Sequence, residues 1–164
     1  GVDTIDLHQL HRIDPQVPLA DQVGELALLQ QEGKIRHIGL SEVSVAELLE
    51  AQRTATIVSV QNLYNLADRS AEPLLDHCEA NEIAFIPWFP LAMGELAKPG
   101  GVLASLAEQT GAAPGQLALA WLLARSPVML PIPGTSTVAH LEENLAAAAL
   151  ELTDNQVAAL AAAA

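Results

Sequence analysis

Short apolar runs rich in β-branched residues recur along the chain, and longer stretches with apolar residues every three or four positions separate them. Such short runs are typical of strands buried on both faces of a parallel sheet, and the longer spacing is typical of amphipathic helices. A regular strand–helix alternation favours a parallel α/β fold with right-handed crossovers. The runs predict five strands, at residues 4–10, 36–40, 57–60, 83–87 and 128–132.

Helix-end signals lie between and after the predicted strands. Residues 44–47 (SVAE) and 153–156 (TDNQ) have the form of capping boxes, in which two side chains satisfy exposed backbone N–H groups. Pro114 suits a first helical turn, and Gly33 suits the left-handed residue that follows a helix. With the apolar spacing, these signals predict a helix after each of the five strands, a pair of helices before the last strand and a further helix at the end.

Two parallel architectures fit this alternation: an open doubly wound sheet and a (β/α)₈ barrel. Neither G-x-G-x-x-G nor G-x-x-x-x-G-K-[ST] follows any predicted strand, so nucleotide-binding open sheets lack their main sequence support. A barrel carries its chemistry on the loops that follow the carboxyl ends of its strands. The residues at those positions therefore decide where a site is expected.

A polar or aromatic side chain follows each of the predicted strands. In chain order these are His11, Ser41, Gln61, Trp88 and the turn Gly134-Thr135-Ser136. Any one of them alone is more commonly structural than functional, but five in succession at the functional ends of the strands favour a ligand site. Arg12 and Asp14 are interpreted as a local ion pair or as partners in hydrogen bonds at the strand exit.

The composition of the chain disfavours some classes of ligand and indicates a cellular location. The chain has 7 Lys+Arg against 20 Asp+Glu, a net charge of −13, which disfavours general electrostatic binding of nucleic acid or anionic lipid. The single Cys78 excludes an internal disulfide framework and predicts a reducing, cytoplasmic location. Apolar runs such as residues 117–124 are far shorter than the roughly 20 residues of a membrane span. No Cys/His/Asp cluster has metal-ligand spacing, so no metal site is predicted.

The chain resembles the aldo-keto reductases in five segments whose order and intervals fit that family. They are residues 1–15 (GVDTIDLHQLHRIDP), 33–44 (GKIRHIGLSEVS), 58–65 (VSVQNLYN), 86–94 (IPWFPLAMG) and 131–144 (PIPGTSTVAHLEEN). The resemblance implies a partial (β/α)₈ TIM barrel, with residues 1–164 as the C-terminal portion of one barrel domain and its strands as the fourth to the eighth. It also implies an NADPH-dependent oxidoreductase that reduces aldehydes or ketones to alcohols.

The resemblance assigns roles to residues at each strand end. His11 matches the active-site histidine that orients the substrate carbonyl. Ser41 and Gln61 match residues that hold the nicotinamide carboxamide, and Trp88 matches an aromatic ring stacked under the nicotinamide. The other matches are Phe89, Leu91, Met93 and Gly94 in the pyrophosphate loop, and Gly134, Thr135, Ser136, His140, Glu143 and Asn144 around the adenosine 2′-phosphate.

Departures from the family pattern qualify these roles. Many relatives have Lys at the position of Gly134 and Arg at that of His140, so NADPH is expected with NADH not excluded. Glu42 replaces the usual Asn beside Ser41 and is expected to contribute little as a cofactor ligand. The family's Asp, Tyr and Lys have no match here, so the chain alone is expected to be almost inactive. The alternative is a non-enzymatic sensor or regulatory module of the same fold that binds the nicotinamide cofactor.

The end strands and the loops set the remaining expectations. Strands at residues 4–10 and 128–132 would be open sheet edges, which invite association. We therefore expect the chain alone to self-associate or to be marginally stable, and the whole enzyme to be a monomer or weak oligomer. The loops at residues 12–18 and 90–101 are short, which predicts a shallow, permissive pocket for small aldehydes or ketones.

Overall fold

The computed structural model describes residues 1–92 and 103–163. The chain divides into two compact units, one formed by residues 1–62 and 71–86 and the other by residues 63–70 and 87–164. Among the described residues, no helix combines the length and the apolar character needed to cross a bilayer.

Strands and helices alternate through the first part of the chain. The elements are β1 (Ile5–Leu10), α1 (Leu19–Gln31), β2 (Ile35–Ser41), α2 (Val45–Ala51), β3 (Ile57–Leu63), α3 (Glu72–Ala80) and β4 (Ala84–Trp88). The strands form a four-stranded sheet in the order β1-β2-β3-β4, with parallel pairing of β1 to β2 and of β2 to β3. This confirms the predicted α/β class and four of the five predicted strands.

The core of the first unit lies on one face of this sheet. Ile38 and Leu40 on β2 and Val60 on β3 are fully buried. Because side chains alternate between the faces of a strand, Gly39 and Ser41 lie on the opposite face of β2. Helix α1 packs against β2 and α2, and α2 contacts α3. The alternation therefore separates a helix-covered apolar face from a face that carries the polar strand-end residues.

The helix-end signals are confirmed. Glu47 N donates to Ser44 Oγ at 3.3 Å, and Ser44 N donates to Glu47 Oε2 at 2.7 Å. The box at residues 153–156 is also present, with Thr153 N donating to Gln156 Oε1 at 2.8 Å and Gln156 N to Thr153 Oγ1 at 3.3 Å. Gly33, which follows the C-cap Glu32 of α1, has a φ of 75°, a conformation that glycine adopts without steric cost.

Gly39 lies at a point on β2 that admits no side chain. A Cβ there would collide with Ser59 Oγ and come within 2.9 Å of Gln9 Cγ. The register makes Gln9, Gly39 and Ser59 neighbours across three strands, and Gln9 Nε2 donates to Ser59 Oγ at 3.2 Å. The pairing of β2 with β3 shifts by one residue between Ile38 and Gly39. The glycine therefore leaves room for a hydrogen bond that spans β2.

The second unit is mainly helical. Its described helices are α4 (Ala104–Thr110), α5 (Pro114–Arg125), α6 (Val138–Ala146), a 3₁₀ turn (Ala147–Ala149) and α7 (Asp154–Ala163). Helix α5 is central and contacts α4, α6 and α7. Its Trp121 ring stacks on Tyr64 with centroids 6.1 Å apart and planes 16° apart, and both rings are buried.

The described residues form four strands rather than the expected five. Within residues 128–132, only Met129 makes a strand-like bridge. Pro131 has no N–H to donate, so this run cannot sustain a regular ladder despite its apolar character. At the other end, β1 pairs with β2 alone among the described strands, and Ile5 and Leu7 are exposed. The paired helices expected before residue 128, α4 and α5, are confirmed.

Candidate functional site

Three predicted site residues come together at the carboxyl ends of β1, β2 and β3 in the first unit. Ser41 and Gln61 are register partners at the ends of β2 and β3. Leu10 pairs with Leu40, so the next residues along, His11 and Ser41, lie at the same edge of the sheet. Ser41 is 4% exposed, whereas His11 is exposed. We call His11, Ser41 and Gln61 the strand-end cluster.

The loop after β2 is held in place by Asn62, to which sequence reasoning assigned no role. Asn62 Oδ1 accepts from Val43 N at 3.2 Å, and its Nδ2 donates to Val43 O at 3.0 Å. Between Ser41 and Val43, Glu42 has a φ of 55°, and its N–H donates to Gln61 O at 3.0 Å. Asn adopts this left-handed conformation more readily than Glu. The backbone at this position would therefore suit Asn better than the Glu that is present.

Arg12 reaches into the strand-end cluster. Its Nη1 donates to His11 O at 2.8 Å and to Ser41 Oγ at 3.3 Å. The expectation of hydrogen bonds at the strand exit is therefore confirmed, but the partner is not Asp14, whose Oδ1 accepts from Gln16 N at 2.9 Å. Sequence could not reveal the contact with Ser41, because 29 residues separate the two along the chain.

The second unit contains a cleft of about 670 Å³. Its walls are the loop after β4, the first turn of α5, and the turn before α6 together with α6 itself. Among its described lining residues there is one imidazole, of His140, one carboxylate, of Glu143, and no Lys or Arg. Seven of the predicted cofactor residues line it: Phe89, Leu91, Gly134, Thr135, His140, Glu143 and Asn144.

The remaining predicted residues of this unit are not among the described lining of the cleft. Ser136 is exposed in the turn before α6 and is not among the residues lining the cleft. Trp88 ends β4, and its ring lies 5.6 Å from that of Phe89 at an angle of 63°. Met93 and Gly94 lie outside the described residues. The cleft therefore gathers the predicted adenosine-side residues other than Ser136, and part of the predicted pyrophosphate loop.

The first turn of α5 is the part of the cleft that sequence reasoning missed. Its N-cap, Ala113, has no side-chain acceptor for the N–H groups of that turn. Such groups give a helix N-terminus local positive potential. Gln116 Oε1 accepts from Ala113 N at 2.9 Å, and its Nε2 donates to Glu143 O at 3.1 Å. Pro114 marked the helix start in the sequence, but no signal placed that start beside α6.

The loop after β4 is shaped by the buried Asn65. Its Nδ2 donates to Phe89 O at 3.1 Å, and its Oδ1 accepts from Ala67 N and Asp68 N, both at 2.9 Å. Phe89 has a φ of 64° and Ala92 a φ of 47°, values that non-glycine residues seldom adopt. Hydrogen bonding from Asn65 therefore offsets part of the backbone strain at the mouth of the cleft. No group of three His, Cys, Asp or Glu residues suited to a metal occurs in the described residues.

Known proteins are similar to this chain in both sequence and fold. The family model described as the aldo/keto reductase family matches residues 1–164. The chain is 55% identical over 160 residues to an uncharacterized oxidoreductase of Schizosaccharomyces pombe, covering 98% of this chain and 52% of that protein. It is 47% identical over 135 residues to pyridoxine 4-dehydrogenase of Escherichia coli, covering 82% of this chain and 47% of that one. It thus spans about half the length of these curated relatives.

Solved structures of aldo-keto reductases have the same fold as this chain over most of its length. A thermostable aldo-keto reductase crystallised with the inhibitor epalrestat superposes with a TM-score of 0.91 at 33% identity, over 99% of this chain and 61% of the other. An aldo-keto reductase of Klebsiella pneumoniae in complex with NADPH superposes with a TM-score of 0.85 at 32% identity, over 96% of this chain and 58% of the other. With the family model, the sequence relatives and the fold in agreement, the chain belongs to the aldo/keto reductase family.

Proposed function

We propose that the protein is an NADP(H)-dependent oxidoreductase that reduces aldehydes or ketones to alcohols, and that this chain supplies most of the cofactor site and the active-site His11. The observation that carries the proposal is the cleft, in which seven residues chosen for cofactor binding from sequence lie on one surface. The NADP and NADPH complexes of the Klebsiella pneumoniae structures support the choice of cofactor.

The strand-end cluster has the chemistry that a nicotinamide carboxamide requires. A carboxamide presents an acceptor oxygen and two N–H donors in one plane, and a hydroxyl and a Gln side chain together offer both complements. Ser41 and Gln61 are paired across adjacent strands, so the two groups lie side by side. Burial of Ser41 restricts water from competing for its hydroxyl. These residues therefore fit the nicotinamide end of the cofactor.

The cleft offers local hydrogen-bond donors for the phosphates and adenosine of the cofactor. Such donors are needed because the chain as a whole is acidic. With a net charge of −13, the protein cannot attract a polyanion by its overall field. The N-cap Ala113 has no side-chain acceptor, so the first turn of α5 supplies backbone N–H donors, and Thr135 lies on the same cleft. Because the described lining has no Lys or Arg, we propose that NADPH is preferred only moderately and that NADH is also accepted.

The cofactor and the residues of this chain would have different roles in the reduction of a carbonyl group. When bound, the nicotinamide cofactor would supply the hydride for reduction of the carbonyl carbon. His11 is exposed at the strand edge and donates a hydrogen bond that orients the carbonyl oxygen. No residue of this chain matches the family's proton donor, and proton donation contributes about 10²–10⁴-fold in general acid catalysis. We therefore propose that the chain alone turns over far more slowly than the complete enzyme.

One relative of the chain has a name that states its substrate. Pyridoxine 4-dehydrogenase of Escherichia coli shares 47% identity over 135 residues, so pyridoxal and other aromatic aldehydes are the first substrates to assay. We retain the expectation of a permissive pocket for small carbonyl compounds. We also propose that residues 1–164 are the C-terminal portion of one barrel domain, and that the whole protein is cytoplasmic and monomeric or weakly oligomeric.

The test uses the protein expressed from its complete reading frame. NADPH binding is measured by quenching of tryptophan fluorescence, and turnover by the loss of NADPH absorbance with a panel of aldehydes and ketones. His11→Asn is expected to lower kcat by about 10²-fold or more while leaving the cofactor Kd within about twofold. His37→Asn, on β2 away from the strand-end cluster, is the matched control and should change neither.

Two results would contradict the proposal. Absence of NADPH and NADH binding would remove the cofactor assignment and every role derived from it. Binding without turnover of any carbonyl compound would instead favour the cofactor-binding sensor or regulatory module, which the chain's lack of a matching proton donor makes the second candidate.

A further inference from the structure

The guanidinium of Arg12 lies directly against the strand-end cluster. Its Nη1 is 3.3 Å from Ser41 Oγ and 2.8 Å from His11 O. Both acceptors are neutral oxygens. An Arg side chain remains protonated throughout the physiological pH range, so a full positive charge lies beside the buried Ser41 hydroxyl. This charge belongs to no residue assigned by the family resemblance.

The contact also fixes what the Ser41 hydroxyl can do. A hydroxyl has one hydrogen and two lone pairs, and donation from Arg12 occupies one lone pair. The Ser41 hydrogen is then directed away from the guanidinium, because two donor hydrogens repel each other. Ser41 is thereby prepared to donate to a carbonyl oxygen, which is what a carboxamide presents.

Resting on the proposed binding of the nicotinamide carboxamide by Ser41 and Gln61, we infer that Arg12 is a positioning residue whose charge makes the protein bind the reduced cofactor more tightly than the oxidised one. The oxidised nicotinamide ring carries a positive charge that the reduced ring lacks. A cation one hydroxyl away from the carboxamide repels only the oxidised ring. Arg12 therefore favours retention of NADPH and release of NADP⁺.

The exposure of Arg12 limits how strongly its charge should change the ratio of the two cofactor dissociation constants. A charge pair near a protein surface interacts far more weakly than a buried pair, and salt screens it further. Removal of the charge should lower the ratio of the Kd for NADP⁺ to the Kd for NADPH by about 3- to 10-fold at low ionic strength. The change should shrink in about 0.5 M salt, where the Debye length is only a few ångströms.

The experiment measures both dissociation constants by isothermal titration calorimetry on the protein from its complete reading frame. Arg12→Met removes the charge and the donor, and Arg12→Gln removes the charge but keeps a donor for Ser41. Both should lower the ratio, and Arg12→Lys, which keeps the charge, should hold it within about twofold. Arg36→Met is the matched control, because Arg36 is an exposed arginine at the start of β2 paired with Asp6; it should leave the ratio unchanged.

A ratio within twofold of the unaltered protein in both neutral variants would overturn the inference, as would an equal shift in Arg36→Met. Thermal melts of each variant accompany the titrations, and Arg12→Gln carries the test if Arg12→Met does not fold. If the unaltered protein bound neither cofactor form, the proposed function would be wrong and this inference with it. If it bound both and the ratio did not respond to Arg12, only this inference would be wrong.

Discussion

Gln116 Nε2 donates a 3.1 Å hydrogen bond to the backbone carbonyl of Glu143, and this bond ties the first turn of α5 to α6 beside the cleft. The Oε1 of the same side chain accepts from Ala113 N at 2.9 Å, so one amide group joins the N-cap of α5 to the neighbouring helix. The shape of the cleft therefore depends on a side chain that no motif singles out.

Gln116→Ala should weaken cofactor binding and lower stability together. Loss of both hydrogen bonds should cost about 1–2 kcal/mol of unfolding free energy, and loss of preorganisation should raise the cofactor Kd by about threefold or more. Gln116→Glu keeps the acceptor for Ala113 but not the donor to Glu143, so its effects should be intermediate. Urea melts and fluorescence titrations measure the two quantities.

Gln156→Ala is the matched control for Gln116→Ala. It removes a comparable capping side chain at the start of α7, where Gln156 Oε1 accepts from Thr153 N. Stability should fall and the cofactor Kd should stay the same. If Gln116→Ala left the Kd unchanged as well, the proposed part of the α5 turn in cofactor binding would be wrong.

His140→Arg should raise the preference for NADPH over NADH. His140 lines the cleft, whose described lining has no Lys or Arg, and Arg binds phosphate through paired, charge-assisted hydrogen bonds. The Kd for NADPH should fall by about 3- to 10-fold with little change for NADH. His37→Arg adds the same charge on β2, in the first unit, and should change neither Kd. An equal gain for both cofactors would argue against a 2′-phosphate site at this helix.

Gly39→Ala should destabilise the sheet by about 1–3 kcal/mol, the usual cost of overpacking a filled interior. The added methyl group would collide with Ser59 Oγ. Removal of that hydroxyl by Ser59→Ala should restore part of the loss in the double variant, although Ser59→Ala alone forfeits the hydrogen bond from Gln9. A double-mutant cycle on urea melts measures the coupling. Strictly additive effects would show that the strain lies elsewhere.

Cys78 should make the protein less stable as the solution becomes alkaline. Burial raises the pKa of its thiol from 9.0 to about 12, because the thiolate is disfavoured in an apolar environment. Between these two pH values the unfolded chain releases a proton that the folded chain retains, so folding free energy is lost as pH rises. The loss from this group should approach about 1.4 kcal/mol per pH unit.

Comparison with Cys78→Ala isolates this effect. The difference in urea-melt stability between the two proteins should be constant below about pH 8 and should change above pH 9 in favour of the variant. A thiol reagent should label native Cys78 only as fast as the protein opens. Rapid labelling of the folded protein at pH 8 would contradict the burial of this residue.

Local sequence was sufficient for much of the fold. The capping boxes at Ser44 and Thr153, the left-handed Gly33 and the strands β1 to β4 each arise from interactions within a few residues or from burial periodicity, which a sequence displays directly. Residues 128–132 showed the limit of that approach. Their apolar character predicted a strand, but a strand also needs regular backbone hydrogen bonds to a partner strand. Pro131 has no backbone N–H and therefore interrupts that pattern.

The sequence by itself determined the parallel α/β class, the strand-end positions of His11, Ser41 and Gln61, and the family resemblance. Tertiary structure alone decided that Arg12 contacts Ser41, that Asn62 holds Val43, and that Gln116 joins α5 to α6. The physical reason is sequence separation. Those hydrogen bonds join groups 19 to 29 residues apart, and the donor finds its acceptor only after the strands and helices have packed.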